Sequence, residues 1–223
     1  AALGKAWGDC GGGESVALAM EGHGRESCVG SVEASATVVW FTSLWPFVLS
    51  GGGEWSQRIR GVKDAVRAVP ERGVGYGVLR YLRGGMTAVP MPRVSFNYLG
   101  VFDPGSGALF RGVADAPTSE AAAAHLGSPF DLDVVGEVSG GCLRVSFHFH
   151  RSAQTAEQRA QLVAAFSRAV EEVVAEGCQA QPQRSVADFT GGVATLGELD
   201  RLLRSCARQQ REVEDVLPLT PMQ

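Results

Sequence analysis

No stretch of this chain is strongly basic, and no apolar run is long enough to cross a membrane. The formal net charge is -4 over 223 residues, which argues against a nucleic-acid partner held through phosphate contacts. Nothing in the first residues has the charged-then-apolar layout of a signal peptide. Cysteine is sparse: Cys10, Cys28, Cys142, Cys178 and Cys206 are odd in number and widely scattered. No pair of them has zinc-finger or thioredoxin spacing, so the expectation is reduced thiols in a cytoplasmic protein, with neither disulfide nor metal. His148 and His150 alternate along one segment and so share a face that suits a metal, but no third ligand lies nearby in sequence. They are read as structural. Gly73-Val74-Gly75 and Gly77 lack the strand, helix start and downstream acid of a phosphate-binding loop. No internal repeat is evident.

What the chain does have is Glu21-Gly22-His23-Gly24-Arg25-Glu26, which packs two carboxylates, an imidazole and a guanidinium between glycines that let the backbone turn. The run before it, Ser15-Val16-Ala17-Leu18-Ala19-Met20, reads as a buried strand. A strand end that delivers ionisable groups into a loop is a common way to build an active site; the plain alternative is a solvated turn.

The remaining order is mixed. Residues 1–7 look like the middle of a helix. Thr37 to Leu49 is aromatic and β-branched and predicts a strand. Trp55, Ile59, Val62, Val66 and Val69 fall at helical spacing, predicting an amphipathic helix over 54–69 closed by Pro70. A short helix is expected over 75–83 and a strand over Arg93 to Leu99. Leu132 to Val138 and Cys142 to His150 predict a hairpin around Ser139-Gly140-Gly141. Thr155 with Gln158 caps a long helix that presents Leu162, Phe166, Val170 and Val173, and Thr195 with Glu198 caps a last one presenting Leu196, Leu199, Leu203 and Cys206. Asp103 to Ser128 reads as a long irregular loop and Gln179 to Arg184 as a linker. Alternating helices and strands of this kind argue for a layered α/β sandwich.

Four segments carry a family resemblance. They are Glu21 to Glu26; Val38-Val39-Trp40-Phe41-Thr42-Ser43-Leu44-Trp45-Pro46; Pro70-Glu71-Arg72-Gly73-Val74-Gly75-Tyr76-Gly77-Val78-Leu79-Arg80-Tyr81; and Phe96-Asn97-Tyr98-Leu99-Gly100-Val101-Phe102-Asp103. In order and spacing they resemble the EGHGRE, TVGWFTxxxP, PxxGxGYGxLRYL and FNYLGxFD motifs of the epimerization domain of nonribosomal peptide synthetases, within the condensation-domain superfamily. The resemblance covers roughly residues 1–190 and implies a chloramphenicol-acetyltransferase-like fold, of which residues 1–185 would be the C-terminal lobe. The N-terminal lobe, with its HHxxxDG motif, is not among these residues. Residues 186–212 are expected to be a linker with a helix. Residues 213–223, ending in Pro218-Leu219-Thr220-Pro221-Met222-Gln223, resemble the start of a following condensation domain.

The resemblance also implies the chemistry: inversion at Cα of an aminoacyl or peptidyl thioester carried on the phosphopantetheine arm of an upstream carrier protein, with no cofactor bound by the domain itself. Glu21 would be the acid/base residue of this lobe, opposite the second histidine of the HHxxxDG motif. Arg25 would pair with that motif's aspartate; Asn97 and Tyr98 would contact the thioester or intermediate, or pack in the core. Tyr76 and His23 are expected to be structural, Glu26 to hold a backbone amide or be solvated, and Trp40, Phe41 and Phe96 to form apolar surface facing the other lobe.

Two departures stand out. Where the family pattern reads SRTVGWFT, this chain has Ala36 for the arginine and Val39 for the glycine, which removes a possible charge partner of Glu21 and places a β-branched residue where glycine is usual, able to crowd a tunnel wall or block a positive φ. A peptide-bond-forming condensation domain and a degenerate lobe that only docks a carrier protein are the competing readings.

Overall fold

The computed structural model describes residues 1–26, 36–86, 89–101, 128–150, 154–179, 183–191 and 195–217. In chain order the elements are helix α1 (Ala2–Asp9), strands β1 (Ser15–Gly22) and β2 (Ser43–Ser50), helix α2 (Trp55–Arg67), the short helix α3 (Val74–Gly77) continued by a wider π-helical turn over Val78–Leu82, strands β3 (Val94–Val101), β4 (Leu132–Ser139) and β5 (Cys142–Phe149), the long helix α4 (Ala156–Gln179) and helix α5 (Leu196–Arg208).

The strands form one sheet in the order β2-β1-β3-β4-β5. β1, β3 and β4 run parallel, whereas β4 and β5 form an antiparallel hairpin closed by the two-residue turn Gly140–Gly141. In register, Leu18 stands opposite Val94 and Met20 opposite Phe96. Val94 and Phe96 in turn face Leu132 and Val134, which face Phe149 and Phe147. Because strand side chains alternate, these residues line one apolar face. The other face carries Glu21, Ser95, Asn97, Asp133, Ser146 and His148.

The chain divides into two compact units. The first comprises Ala1–Ser15, Leu49–Arg72 and Ala164–Gln223; its buried apolar residues are Leu3, Ala6, Leu49, Ala165, Ala169, Phe189 and Leu199. The second comprises Val16–Val48 and Gly73–Val163, and buries Val16, Leu18, Ala19, Trp45, Phe47, Val94, Leu132, Val134 and Leu162.

In the first unit, the most buried residue of α2 is Arg60, not one of the apolar residues that the helical spacing singled out. Its Nη2 donates to Asp200 Oδ1 of α5 at 2.6 Å. A buried guanidinium needs such a partner, because leaving it unpaired costs several kcal/mol or so. Asp188 is bound by Lys63 Nζ at 2.5 Å and Arg67 Nη1 at 3.0 Å, and it accepts from the backbone N–H of Ser185 at 2.9 Å. The Lys63 hydrogen bond, with those of Ser185 and Arg67, holds the Asp188 carboxyl well below the usual aspartate range. A carboxyl depressed on folding contributes stability above its unfolded pKa and loses it as pH falls through the folded one. The expected outcome is that Asp188→Asn is less stable than the parent protein near neutrality, and that the gap closes progressively below about pH 4 in denaturant titrations at stepped pH.

Several elements match the sequence expectations closely: α1, α2, β3, the β4–β5 hairpin and both capped helices. Thr155 N–H donates to Gln158 Oε1 at 2.9 Å, and Thr195 N–H to Glu198 Oε2 at 2.8 Å, completing the two capping boxes. The strand expected from Thr37 begins only at Ser43; residues 37–42 are irregular, with Val38 fully exposed and Trp40 86% exposed. Aromatic and β-branched content favours a strand only where a neighbouring strand covers it, and these residues have no ladder partner among the described residues. The loop expected over 103–128 falls almost wholly outside the described residues, as do Cys28, residues 180–182 of the linker and the Pro218–Gln223 string.

Near the end of the described chain, Thr190 donates through its N–H and hydroxyl to Asp215, and Gly191 N–H donates to the Val216 carbonyl at 2.7 Å. Residues 213–217 therefore fold back onto this unit. Cys10, Cys142, Cys178 and Cys206 are free thiols. Among the described residues there is no cluster of metal-ligating side chains and no helix long and apolar enough to cross a membrane.

Candidate functional site

Glu21 lies inside β1, one residue before its end, not in the loop that the glycines suggested. The strand ladder carries it there: Met20 is still paired with Phe96, so the next residue falls beside Asn97 on the opposite face. Asn97 Nδ2 donates to Glu21 Oε2 at 2.6 Å. On the same face, Asp133 accepts from the buried Ser95 hydroxyl and from Ser128 Oγ at 3.4 Å, and its Oδ2 lies 2.5 Å from His150 Nε2.

Partial burial pushes the Glu21 carboxyl above its usual carboxylate range. The negative charge of Asp133 adds to that rise, and the Asn97 hydrogen bond opposes it. A carboxyl that keeps its proton to higher pH is a stronger base when it loses it, which suits proton transfer at carbon. The amide of Asn97 fixes which oxygen is engaged and leaves the other available.

The loop after β1 is built by its own side chains. His23 Nδ1 accepts the Arg25 backbone N–H at 3.0 Å, which leaves the ring proton on Nε2, 3.1 Å from Glu26 Oε1. Gly24 has φ +65°, and a Cβ there would stand 1.7 Å from the Phe41 carbonyl oxygen, so no other residue fits without moving the chain. Arg25 Nη2 donates to the Thr37 carbonyl at 2.8 Å and the Val39 carbonyl at 3.2 Å, and its guanidinium lies 4.6 Å from the Phe41 ring centroid. Arg25 thus pins residues 37–41 beside the strand end that bears Glu21.

Tyr98, expected to act beside Asn97, is not brought to Glu21. Alternation turns it to the other sheet face, where its ring lies over Gly136 and half of it is exposed. Phe96 shares the apolar face with Met20 and Val134 and is partly covered, whereas Val38, Val39 and Trp40 are exposed. Tyr76 accepts from Arg80 Nη1 at 3.1 Å and donates to Met91 Sδ at 3.4 Å, while Arg80 also donates to the Met86 and Val89 carbonyls. That network ties the helical turn to the segment leading into β3. Gly73, before it, has φ +82°; a Cβ there would lie 2.2 Å from the buried Trp45 ring.

Val39 does not need the positive φ that its position in the motif suggested; among the described residues, the positive-φ non-glycine residues are Glu71, Arg72 and Gln210. It is 54% exposed and its carbonyl serves Arg25. The substitution is therefore compatible with this loop. Sequence reasoning missed Ser95 and Asp133 entirely. The alternation of Ser95 with Asn97, and of Asp133 with apolar Leu132 and Val134, was the available signal.

The family model described as the condensation domain matches residues 1–188. The chain belongs to the condensation-domain family. It is 34% identical over 225 residues to one of the proteins that make up the mycosubtilin synthase of Bacillus subtilis, covering 94% of this chain and 8% of that protein. It is 34% identical over 218 residues to a component of the linear gramicidin synthase of Brevibacillus parabrevis, covering 92% of this chain and 4% of that one. The chain therefore spans less than a tenth of these relatives. Among solved structures it is similar to the epimerization domain from the third module of tyrocidine synthetase B, with TM-score 0.67 and 28% identity, over 78% of this chain and 40% of that one. A condensation domain for chain release from the enacyloxin polyketide synthase, at TM-score 0.55 and 18% identity over 82% of this chain and 36% of that one, shares the fold. This condensation-family domain has the mixed α/β, chloramphenicol-acetyltransferase-like architecture, and its relatives are parts of peptide synthetases.

Proposed function

We propose that this condensation-family domain is the C-terminal lobe of an epimerization domain, which inverts Cα of an aminoacyl or peptidyl thioester on the phosphopantetheine arm of an upstream carrier protein. The observation that carries the reading is the Glu21–Asn97 pair: a half-buried carboxyl, raised above its usual range and oriented by an amide on the adjacent strand. Its position in the EGHGRE motif and the 28% identity to a solved epimerization domain support it. The 40% share of that structure suits one lobe of a two-lobed fold.

In this mechanism the Glu21 carboxylate takes the Cα proton from one face, and the C–H electron pair moves into the thioester enolate. A proton returned from the opposite face by the histidine of the N-terminal lobe gives the other stereoisomer, with no net redox change. Asn97 keeps Glu21 in place through both directions. Arg25 holds residues 37–41 through the Thr37 and Val39 carbonyls and the Phe41 ring. Residues 186–212 would be the linker and 213–223 the start of a following condensation domain, both partners in cis.

The family model's own description keeps a peptide-bond-forming condensation domain as the second reading. The test is chiral analysis of the acyl group released from the carrier after incubation with the full-length protein. A D-enantiomer fraction supports epimerization, and an exclusively L product joined to an acceptor amine supports condensation.

A further inference from the structure

After α5, residues 211–217 form neither helix nor strand, yet they are held in place. The Val213 carbonyl accepts from Arg184 Nη1, whose guanidinium also lies 5.6 Å from the centroid of the buried Phe189 ring. Asp215 accepts twice from Thr190: its Oδ1 from the backbone N–H at 2.8 Å, and its Oδ2 from the hydroxyl at 2.6 Å. The same Oδ1 accepts from the Val216 N–H at 2.8 Å. Gly191 N–H then donates to the Val216 carbonyl at 2.7 Å. Val213 and Val216 are half-buried, whereas Glu214, Asp215 and Leu217 are exposed.

The segment that makes these contacts is itself anchored. Ser185 is fully buried, Ala187 N–H donates to Asp64 Oδ1 at 2.8 Å, and Asp188 is held by Lys63 and Arg67, so residues 185–188 are tied to α2. Gly191 fits closely against the returning chain. A Cβ there would stand 2.1 Å from the Val216 carbonyl oxygen and 3.2 Å from Leu217 Cα. Gly191 is not among the glycines with positive φ, so its own backbone would accept a side chain, and it is the returning chain that excludes one. Ordering a segment without helix or strand costs backbone entropy, which charge-assisted hydrogen bonds such as those of Asp215 offset.

We infer that residues 211–217 are a strap, latched by Asp215 to Thr190 and by Val216 to Gly191, that fixes where and in what direction the polypeptide leaves this domain. Unlatched, the same residues would let the exit point wander over about 15 Å, the mean span of a flexible coil of that length. Latched, whatever is joined after Leu217 starts from a set point relative to α2, and its encounters with this domain are governed by geometry rather than by a free tether. Under the reading that 213–223 begin a following condensation domain, the strap sets where that domain starts. The latch itself depends neither on that reading nor on epimerization.

The experiment is amide hydrogen exchange, read by mass spectrometry on the full-length protein, in peptides that cover 211–217 and, as internal reference, α5. In the parent, the strap is expected to exchange about tenfold or more slower than a synthetic peptide of the same sequence. Asp215→Ala removes the acceptor of both Thr190 hydrogen bonds, and Gly191→Ala drives a methyl group into the Val216 carbonyl. Each is expected to raise strap exchange about tenfold while α5 stays parental. Glu214→Ala, which alters an exposed side chain outside the latch, is expected to exchange like the parent. Faster exchange confined to the strap of the two latch variants supports the inference. Peptide-like exchange in the parent, parental exchange in either latch variant, or an equal rise in Glu214→Ala overturns it. If Gly191→Ala loosens α5 as much as the strap, Asp215→Ala decides alone: a rise confined to 211–217 supports the latch, and no rise, or one shared with α5, overturns it.

Discussion

Replacing Glu21 by glutamine lowers Cα inversion in the full-length protein by about 10²-fold or more, the usual scale for losing a general acid or base. Glutamine keeps the size of the side chain, and its amide oxygen can still accept from Asn97, whose Nδ2 lies 2.6 Å from Glu21 Oε2 in the parent. Only the group that exchanges a proton is lost. The folded sheet and carrier-protein binding are therefore expected to survive, and the effect should fall on turnover rather than on apparent affinity. The measurement is the initial rate of stereoisomer interconversion on the carrier-bound thioester, with circular dichroism as the folding control. A Gln variant that inverts at the parental rate would remove Glu21 from the chemistry.

Asn97→Leu is expected to have the second largest effect, roughly a tenfold loss, since a hydrogen bond to a charged group is stronger than a neutral one but here lies in a half-exposed site. Two consequences share one sign. Glu21 loses the donor that orients it, and its carboxyl rises further because the Asn97 hydrogen bond is the contribution that lowers it. The pH at which exchange begins to fall on the acid side should accordingly move upward in Asn97→Leu. That separates it from a variant that is merely less stable, which loses rate evenly across the profile. A parental profile in Asn97→Leu would show that the contact does not support catalysis.

The sequence was most legible where chemistry is local. Capping residues such as Thr195 with Glu198 specify a helix start within four positions, and the glycine pair at 140–141 specifies its own turn. The Glu21–Asn97 contact was only half legible. Each residue sits in a family motif, but that they touch follows from the parallel pairing of β1 with β3 across more than seventy residues, which no local pattern encodes. The separation of Tyr98 from Glu21 has the same source. Adjacent residues in a motif read as one site, whereas in a strand they point to opposite faces. Residues 37–42 failed for a different reason: their composition favours a strand, but the Arg25 side chain, not a neighbouring strand, holds the Thr37 and Val39 carbonyls. Asp133 was legible only as a polar residue alternating with Leu132 and Val134; that it faces the same side of the sheet as Glu21 follows from strand pairing, which no local pattern encodes.

The most direct test of epimerization as the activity uses a panel of L-aminoacyl-phosphopantetheine thioesters loaded onto the upstream carrier protein and incubated with the full-length protein in heavy water, without any acceptor amine. Mass spectrometry and chiral analysis of the released acyl groups then read deuterium at Cα and configuration together. The predicted result is that at least one member gains Cα deuterium and emerges as both stereoisomers. Protium retained at Cα in every member, with L configuration throughout and peptide-bond formation once an acceptor is added, would contradict it and assign the domain to condensation.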